Sequence, residues 1–268
     1  MNTARVLSQS LLFHWRIHAA VALGVAAAAA VLTGALLVGD SVRGSLRHLT
    51  LDRLGQIDEL LIADHFFRQE LAAELASQPQ FDQHYAAAVP AILFPSGTIE
   101  LAHESGRRRA SGVTVIGSTA AFWQLGDRRF SATKQPGEGQ IVLNAPLAEE
   151  LGAKLGDTIV LRLGKANQVP ADSPLGRKTD RIASIAELQV SEIIPAESLG
   201  RFSLQPTQTT PHNAYVSLGT LQTGLEVDGK ANAIFVARQS GSTASAAGDK
   251  PALAEMLRPR IEDYGLTL

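Results

Sequence analysis

The serine best placed to act as a nucleophile is Ser41, which follows Leu37-Val38-Gly39-Asp40. An apolar segment ending in Gly-Asp-Ser can present a hydroxyl for acyl transfer, but that hydroxyl needs a base beside it. A late Asp-x-x-His would supply one, and none occurs in the 268 residues. No G-x-S-x-G elbow occurs either. The chain contains no Cys, which excludes a thiolate nucleophile, a disulfide framework and a thiolate zinc site. Its seven histidines (14, 18, 48, 65, 84, 103 and 212) are scattered, and no H-E-x-x-H is present. Asp82 and His84, two apart, read as a solvated turn rather than as metal ligands. Gly137-Glu138-Gly139 lacks the third glycine of a dinucleotide fingerprint. No G-x-x-x-x-G-K-[ST] is present, so the chain carries no P-loop for ATP. The expectation is therefore no catalytic residue, no cofactor-binding residue and no metal ligand, in a protein that is not an enzyme.

Binding is a separate question. Arg107-Arg108-Arg109 is the densest basic cluster, and Arg128-Arg129 could lie near it. It reads first as a solvated loop and second as a contact for an anionic partner, lipid headgroups included. Phe122-Trp123 reads as a pair in the core or at a subdomain contact.

The element that positions Ser41 explains it better than catalysis does. Ala19 to Gly39 holds 21 residues without a charged side chain. As a helix it is roughly 31 Å long, matching a bilayer core. A buried helix of a soluble protein usually keeps a polar face, and this one has none. A cleavable signal peptide fits the basic Arg5 and Arg16, but the apolar run exceeds a usual h-region and no A-x-A site closes it at Asp40. Arg5, Arg16 and the amino terminus place the start of the chain in the cytoplasm, and everything after Gly39 outside it. Gly39, Asp40 and Ser41 then mark the polar exit from lipid. Ala20, Gly24 and Ala28 share one helix face, Ala30 and Gly34 another, and such small residues let helices pack closely in a membrane.

Beyond the span, residues 41–57 read as an exit helix and 58–64 as a strand. A helix follows over 66–78, then two strands flanking the turn signal Pro95-Ser96-Gly97. GVTVIG (112–117), QIVL (140–143), DTIVLRLG (157–164) and IAELQVSEII (185–194 at its core) read as strands of a β-rich unit. Asn144 caps a short helix with Pro146 in its first turn and Gly152 at its end. Residues 164–183 read as a long polar loop. NAYVSL and NAIFVAR are strands around the helix LGTLQTGL; a Gly/Ser-rich loop and a helix after Pro251 close the chain.

Charge divides the chain at the same place. The formal net charge is -2, from 24 basic and 26 acidic residues, which excludes a bulk polybasic nucleic-acid binder. Residues 1–39 hold no Asp or Glu, so all 26 acids lie from Asp40 onward. An acid-free anchor precedes an acidic domain.

Two stretches carry a family resemblance. VLTGALLVGDSVRGSL (31–46), preceded by SLLFHWRIHAAVALGVA, resembles the first transmembrane helix and exit of ABC-transporter permeases of the FtsX/MacB type, which include lipoprotein-release and macrolide-export permeases. VTVIG, FWQLGD and GEGQIVLNAPLAEELGAKLGDTIVLRL are similar to the MacB-like periplasmic core domain in the progression Asn144, Leu147-Ala148, Leu151-Gly152, Gly156-Asp157-Thr158. The resemblance implies an α+β fold: one transmembrane helix, then a two-subdomain extracytoplasmic domain of βαβ-type halves around an inserted, mostly-β subdomain. Residues 1–57 would form the anchor and 58–268 the periplasmic core domain, with the insertion at about 110–200. It also implies a non-catalytic permease component in the bacterial inner membrane. Its partners would be an ABC ATPase subunit on a separate chain, further permease helices or a second permease copy, and the lipid bilayer, with no nucleic acid. Family permeases carry three further spans after this domain, so about three more apolar spans are expected beyond Leu268, beside an ATPase gene. The alternative is a stand-alone, membrane-anchored binding or adaptor module of the cell envelope.

Overall fold

Alanine, leucine and valine with no interrupting proline favour one long helix. In the computed structural model that helix, α1, runs unbroken over Trp15–Leu54. The structure describes residues 13–103, 106–126, 135–164, 182–205, 209–239 and 253–265. It divides into two units, residues 1–49 and 50–268. In the first unit, Leu23, Val31, Leu36 and Leu37 are all mostly exposed. The helix is long and apolar enough to cross a membrane. Gly39, Asp40 and Ser41 are helical like their neighbours, so the change of composition there brings no change of backbone.

The second unit is built on eight strands. β1 (Ile57–Arg68) is followed by α2 (Glu70–Ala76), α3 (Phe81–His84) and β2 (Tyr85–His103). β3 (Gly106–Ser118), α4 (Ala120–Trp123), β4 (Gln140–Asn144), α5 (Ala145–Leu151) and β5 (Thr158–Gly164) come next. β6 (Ile182–Ile194), a 3-10 turn (Ser198–Arg201), β7 (Asn213–Ser217), α6 (Leu218–Leu225) and β8 (Lys230–Arg238) follow. α7 (Leu253–Met256) and a second 3-10 turn (Ile261–Tyr264) come last.

The strand order is β1-β8-β2-β3-β7-β4-β6-β5, with β2 also paired to β5. That extra pairing closes β2, β3, β7, β4, β6 and β5 into a ring. β2 belongs to two sheets. Its residues 85–91 pair with β8, and its residues 92–103 pair with β3. Within the second half, Thr98 to Leu101 also pair with β5. Ile99, Leu101, Val115, Leu143, Leu161 and Val216 fill the interior of the ring. Along β8, Ala233 and Phe235 face a second apolar cluster, while Ile234 and Val236 face a third beneath α2, α3 and α7. Both clusters follow from strand alternation.

Several elements differ from expectation for physical reasons. Pro95-Ser96-Gly97 makes no hairpin; it lies inside β2, where the register shifts on both sides of Gly97. The bulge there directly precedes Thr98 to Leu101, the residues that pair with β5 as well as with β3. A Cβ on Gly97 would stand 2.8 Å from Val115 Cγ2, so the close approach of β3 requires glycine. The helix expected over 66–78 shrinks to Glu70–Ala76, because Phe67 and Arg68 pair with Ala231 and Lys230. The ring overlaps the expected insertion at 110–200 but also takes in residues 92–103 and β7. The expected loops at 164–183 and before Pro251 lie largely or wholly outside the described residues.

Ile99→Ala, at a fully buried ring position, should destabilise the chain by about 2–5 kcal/mol. Ile62→Ala, at a position 49 % exposed, should cost less than about 1 kcal/mol. Urea unfolding of the two variants in detergent checks the contrast.

Candidate functional site

The polar centre of the second unit is a knot of buried amides where β4 ends and β7 begins. Asn144 and Asn213 are fully buried. Asn144 Oδ1 accepts from Leu147 N at 3.3 Å, which caps α5, and from Asn213 N at 3.0 Å. Its Nδ2 donates to Gly200 O at 2.9 Å and Pro211 O at 2.7 Å. Asn213 Nδ2 donates to Phe202 O at 2.9 Å, and the Tyr215 hydroxyl donates to Leu199 O. Burial pushes the Tyr215 phenol far above its ordinary pKa, so it stays a neutral donor. Gly200 is dictated by contact, since a Cβ there would stand 2.0 Å from Pro195 O.

The end of the described chain is held by charge. Asp263 is 5 % exposed and lies against β1. Arg68 grips it with a two-pronged fork, Nε to Oδ1 at 3.0 Å and Nη2 to Oδ2 at 2.7 Å. Arg68 N and Arg260 N also donate to the carboxylate. The other arm of Arg68 meets Glu74 at 2.8 Å, and Arg260 meets the same carboxylate at 3.2 Å. His65 Nε2 lies 2.8 Å from Asp263 O. Burial disfavours ionisation of Asp263, but the hydrogen bonds from Arg68 and the backbone outweigh it and hold the carboxyl below its ordinary pKa.

The start of β1 is fixed as well. Gly55 ends α1 with φ +59°, and a Cβ there would stand 2.6 Å from Leu125 O. Gln56 N donates to that same carbonyl at 2.7 Å. One strand therefore carries a backbone joint at its beginning and an ion-pair latch at its end.

Among the described residues, the sequence-level candidates lie on separate elements. Ser41 lies within α1, and Asp82 and His84 lie on α3. No group of three metal-ligating side chains occurs among the described residues. Arg107, Arg108 and Arg109 are exposed but stand on β3 rather than in a loop, because they pair with Ala102, Leu101 and Glu100. Arg108 reaches the C-terminal end of α5, where a Cβ on Gly152 would stand 2.3 Å from its Nη1. Arg128-Arg129 lies outside the described residues. Phe122 and Trp123 are buried in the second cluster, as expected of a core pair. The latch gave no sequence signal, since Arg68 and Asp263 are 195 residues apart.

Asn144→Ala should cost about 2–4 kcal/mol in urea unfolding, through the lost cap and the unsatisfied carbonyls of Gly200 and Pro211. The latch predicts an acid limb. Asp263 has a lower pKa folded than unfolded, so its contribution is present above about pH 3.9 and is lost as pH falls through the folded value. The melting temperature of the native chain should therefore fall more steeply on acidification than that of Asp263→Asn. Parallel limbs in the two proteins would remove the latch from the acid response.

The MacB-like periplasmic core domain family matches residues 19–250. A search of curated proteins finds no match. Among solved structures, the periplasmic region of MacB from Actinobacillus actinomycetemcomitans is 12 % identical, with a TM-score of 0.39, over 69 % of this chain and 75 % of that one. The extracellular domain of the noncanonic ABC-type transporter YknZ from Gram-positive bacteria is 13 % identical, with a TM-score of 0.45, over 78 % and 95 %. A domain of a permease protein from Porphyromonas gingivalis, itself described as putative, is 13 % identical, with a TM-score of 0.39, over 71 % and 78 %. At these scores the family match alone decides the assignment. The chain belongs to the MacB-like periplasmic core domain family, the periplasmic domain of FtsX/MacB-type permeases.

Proposed function

We propose that this chain is a membrane-anchored permease component of an ABC transporter, with no catalysis of its own. The observation that carries the reading is the family match, which begins at Ala19 in the apolar helix and continues through the β-rich unit. In this reading residues 1–57 anchor the chain in the bacterial inner membrane with the N-terminus in the cytoplasm. Residues 58–268 form the periplasmic body, with the subdomain at about 110–200 inserted in it. A separate ATPase subunit supplies the work of ATP hydrolysis, and further permease helices or a second permease copy pack beside the span. The body converts that motion into export or handling of an envelope substrate.

The two attachments of β1 support a mechanical role. A strand fastened at both ends passes displacement on without absorbing it in loose backbone. The absence of a P-loop is consistent with an ATPase on another chain.

Two measurements test this reading. The Cys-free sequence allows single-cysteine labelling without background. In spheroplasts a membrane-impermeant maleimide should label Glu149→Cys, and should label Ser8→Cys only after lysis; the reverse pattern would overturn the topology. Tagged chain purified from native membranes should retain an ABC-type ATPase. Stable recovery of an envelope protein without any ATPase would favour the adaptor module instead.

A further inference from the structure

β3 has a strand on both sides along only part of its length. β2 pairs with it from Gly106 to Gly117, and β7 only from Thr114 to Ser118. Gly106 to Val113 therefore carry β2 on one side and, among the described residues, no strand on the other. Nor does another backbone hydrogen bond among those residues reach this stretch; the nearest runs from Thr114 N to His212 O. The edge is accessible, since Gly106, Arg107, Arg108, Arg109, Ser111 and Gly112 are all exposed. Gly112, at φ +72°, is the extra residue of a bulge that sets Thr98 opposite Ser111 and Gly97 opposite Val113.

Strand alternation divides the three arginines. Arg108 shares a side with Ala110, which lies in the ring's interior cluster with Leu147 and Leu151 of α5. Its guanidinium reaches the carbonyl end of that helix at Gly152, which accounts for its charge. Arg107 and Arg109 point the other way, onto the outer face. Arg109 stands opposite Glu100 in the ladder, but Arg162 of β5 holds that carboxylate at 3.2 Å. Among the described residues no ion pair engages Arg107 or Arg109.

An open row of backbone donors and acceptors is matched along its length by another extended polypeptide, and side chains on the same strand then select which one. Charge on an edge strand also guards it against unwanted pairing. That guard turns away neutral and basic strands, a second copy of β3 included, but it attracts an acidic one. We propose that the edge Gly106–Gly112 is a docking site for an extended acidic segment of a partner protein. The segment adds as a strand beside β3, with carboxylates at alternate positions facing Arg107 and Arg109. This site uses the β-rich unit alone and does not depend on the transport reading.

The test holds the full chain in phosphatidylcholine nanodiscs at low ionic strength. A short fluorescein-labelled peptide alternating Glu and Val is titrated in, and binding is read by anisotropy. Binding should weaken about tenfold or more in Arg107→Glu/Arg109→Glu, and that variant should prefer the same peptide with Lys in place of Glu. If the double variant does not fold, Arg107→Glu, opposite Ala102 and away from Glu100, decides alone. N-methylation of one alternate set of peptide amides should abolish binding and of the other set should spare it, because only one set faces β3. No binding of the Glu peptide, or binding that survives charge reversal or both methylations, would overturn the site. Arginine-dependent capture of phosphatidylglycerol vesicles without peptide binding would assign the arginines to lipid and overturn it as well.

Discussion

The order of the β-rich unit depends on one side chain with every hydrogen bond used. Asn144 ends β4, caps α5, receives the first N–H of β7 and holds the carbonyls of Gly200 and Pro211. The four contacts exhaust its acceptor and donor positions. No apolar side chain could replace it, because each bond satisfies a backbone group that folding has taken out of water. The ring around it contains both parallel and antiparallel pairs, and the parallel ones cannot be made by hairpins. Something other than a turn must therefore fix where β4 and β7 stand, and the amide does so.

The same logic extends outward. β2 serves two sheets by pairing with β8 up to Ala91 and with β3 from Ile92 onward, and the bulge at Gly97 does not end it. The three apolar clusters are thus attached to one continuous strand, each lined in part by β2 residues. Loss of packing in one is felt in the others through that backbone.

How much of this was legible in the sequence depends on range. Local signals read well. Asn144 with Pro146 and Gly152 marks its helix, and Ile159, Leu161 and Leu163 mark the buried face of β5. Signals that compete with distant pairing read poorly. Pro95-Ser96-Gly97 has turn chemistry, but strands brought from elsewhere continue the ladder through it. Phe67 has helical spacing to Leu71, but its partner Ala231 draws it into a strand. The Arg68–Asp263 pair is a product of tertiary placement, and no spacing rule could announce it.

The closed ring also has a consequence for how the chain must be made. β3 pairs in parallel with β7, whose partner residues are about a hundred positions later, so β3 cannot complete its ladder until nearly the whole described chain has been synthesised. β2 waits likewise for β8 along its first half and for β5 along its second. Long-range pairing of this kind makes folding slow, because loop-closure entropy is lost before contacts return it. During that interval the long β2 and β3 have unpaired edges that invite association with other chains. The long apolar helix α1 precedes these strands in the chain and is made before them. The cell therefore has to protect the newborn domain for longer than its size alone would suggest.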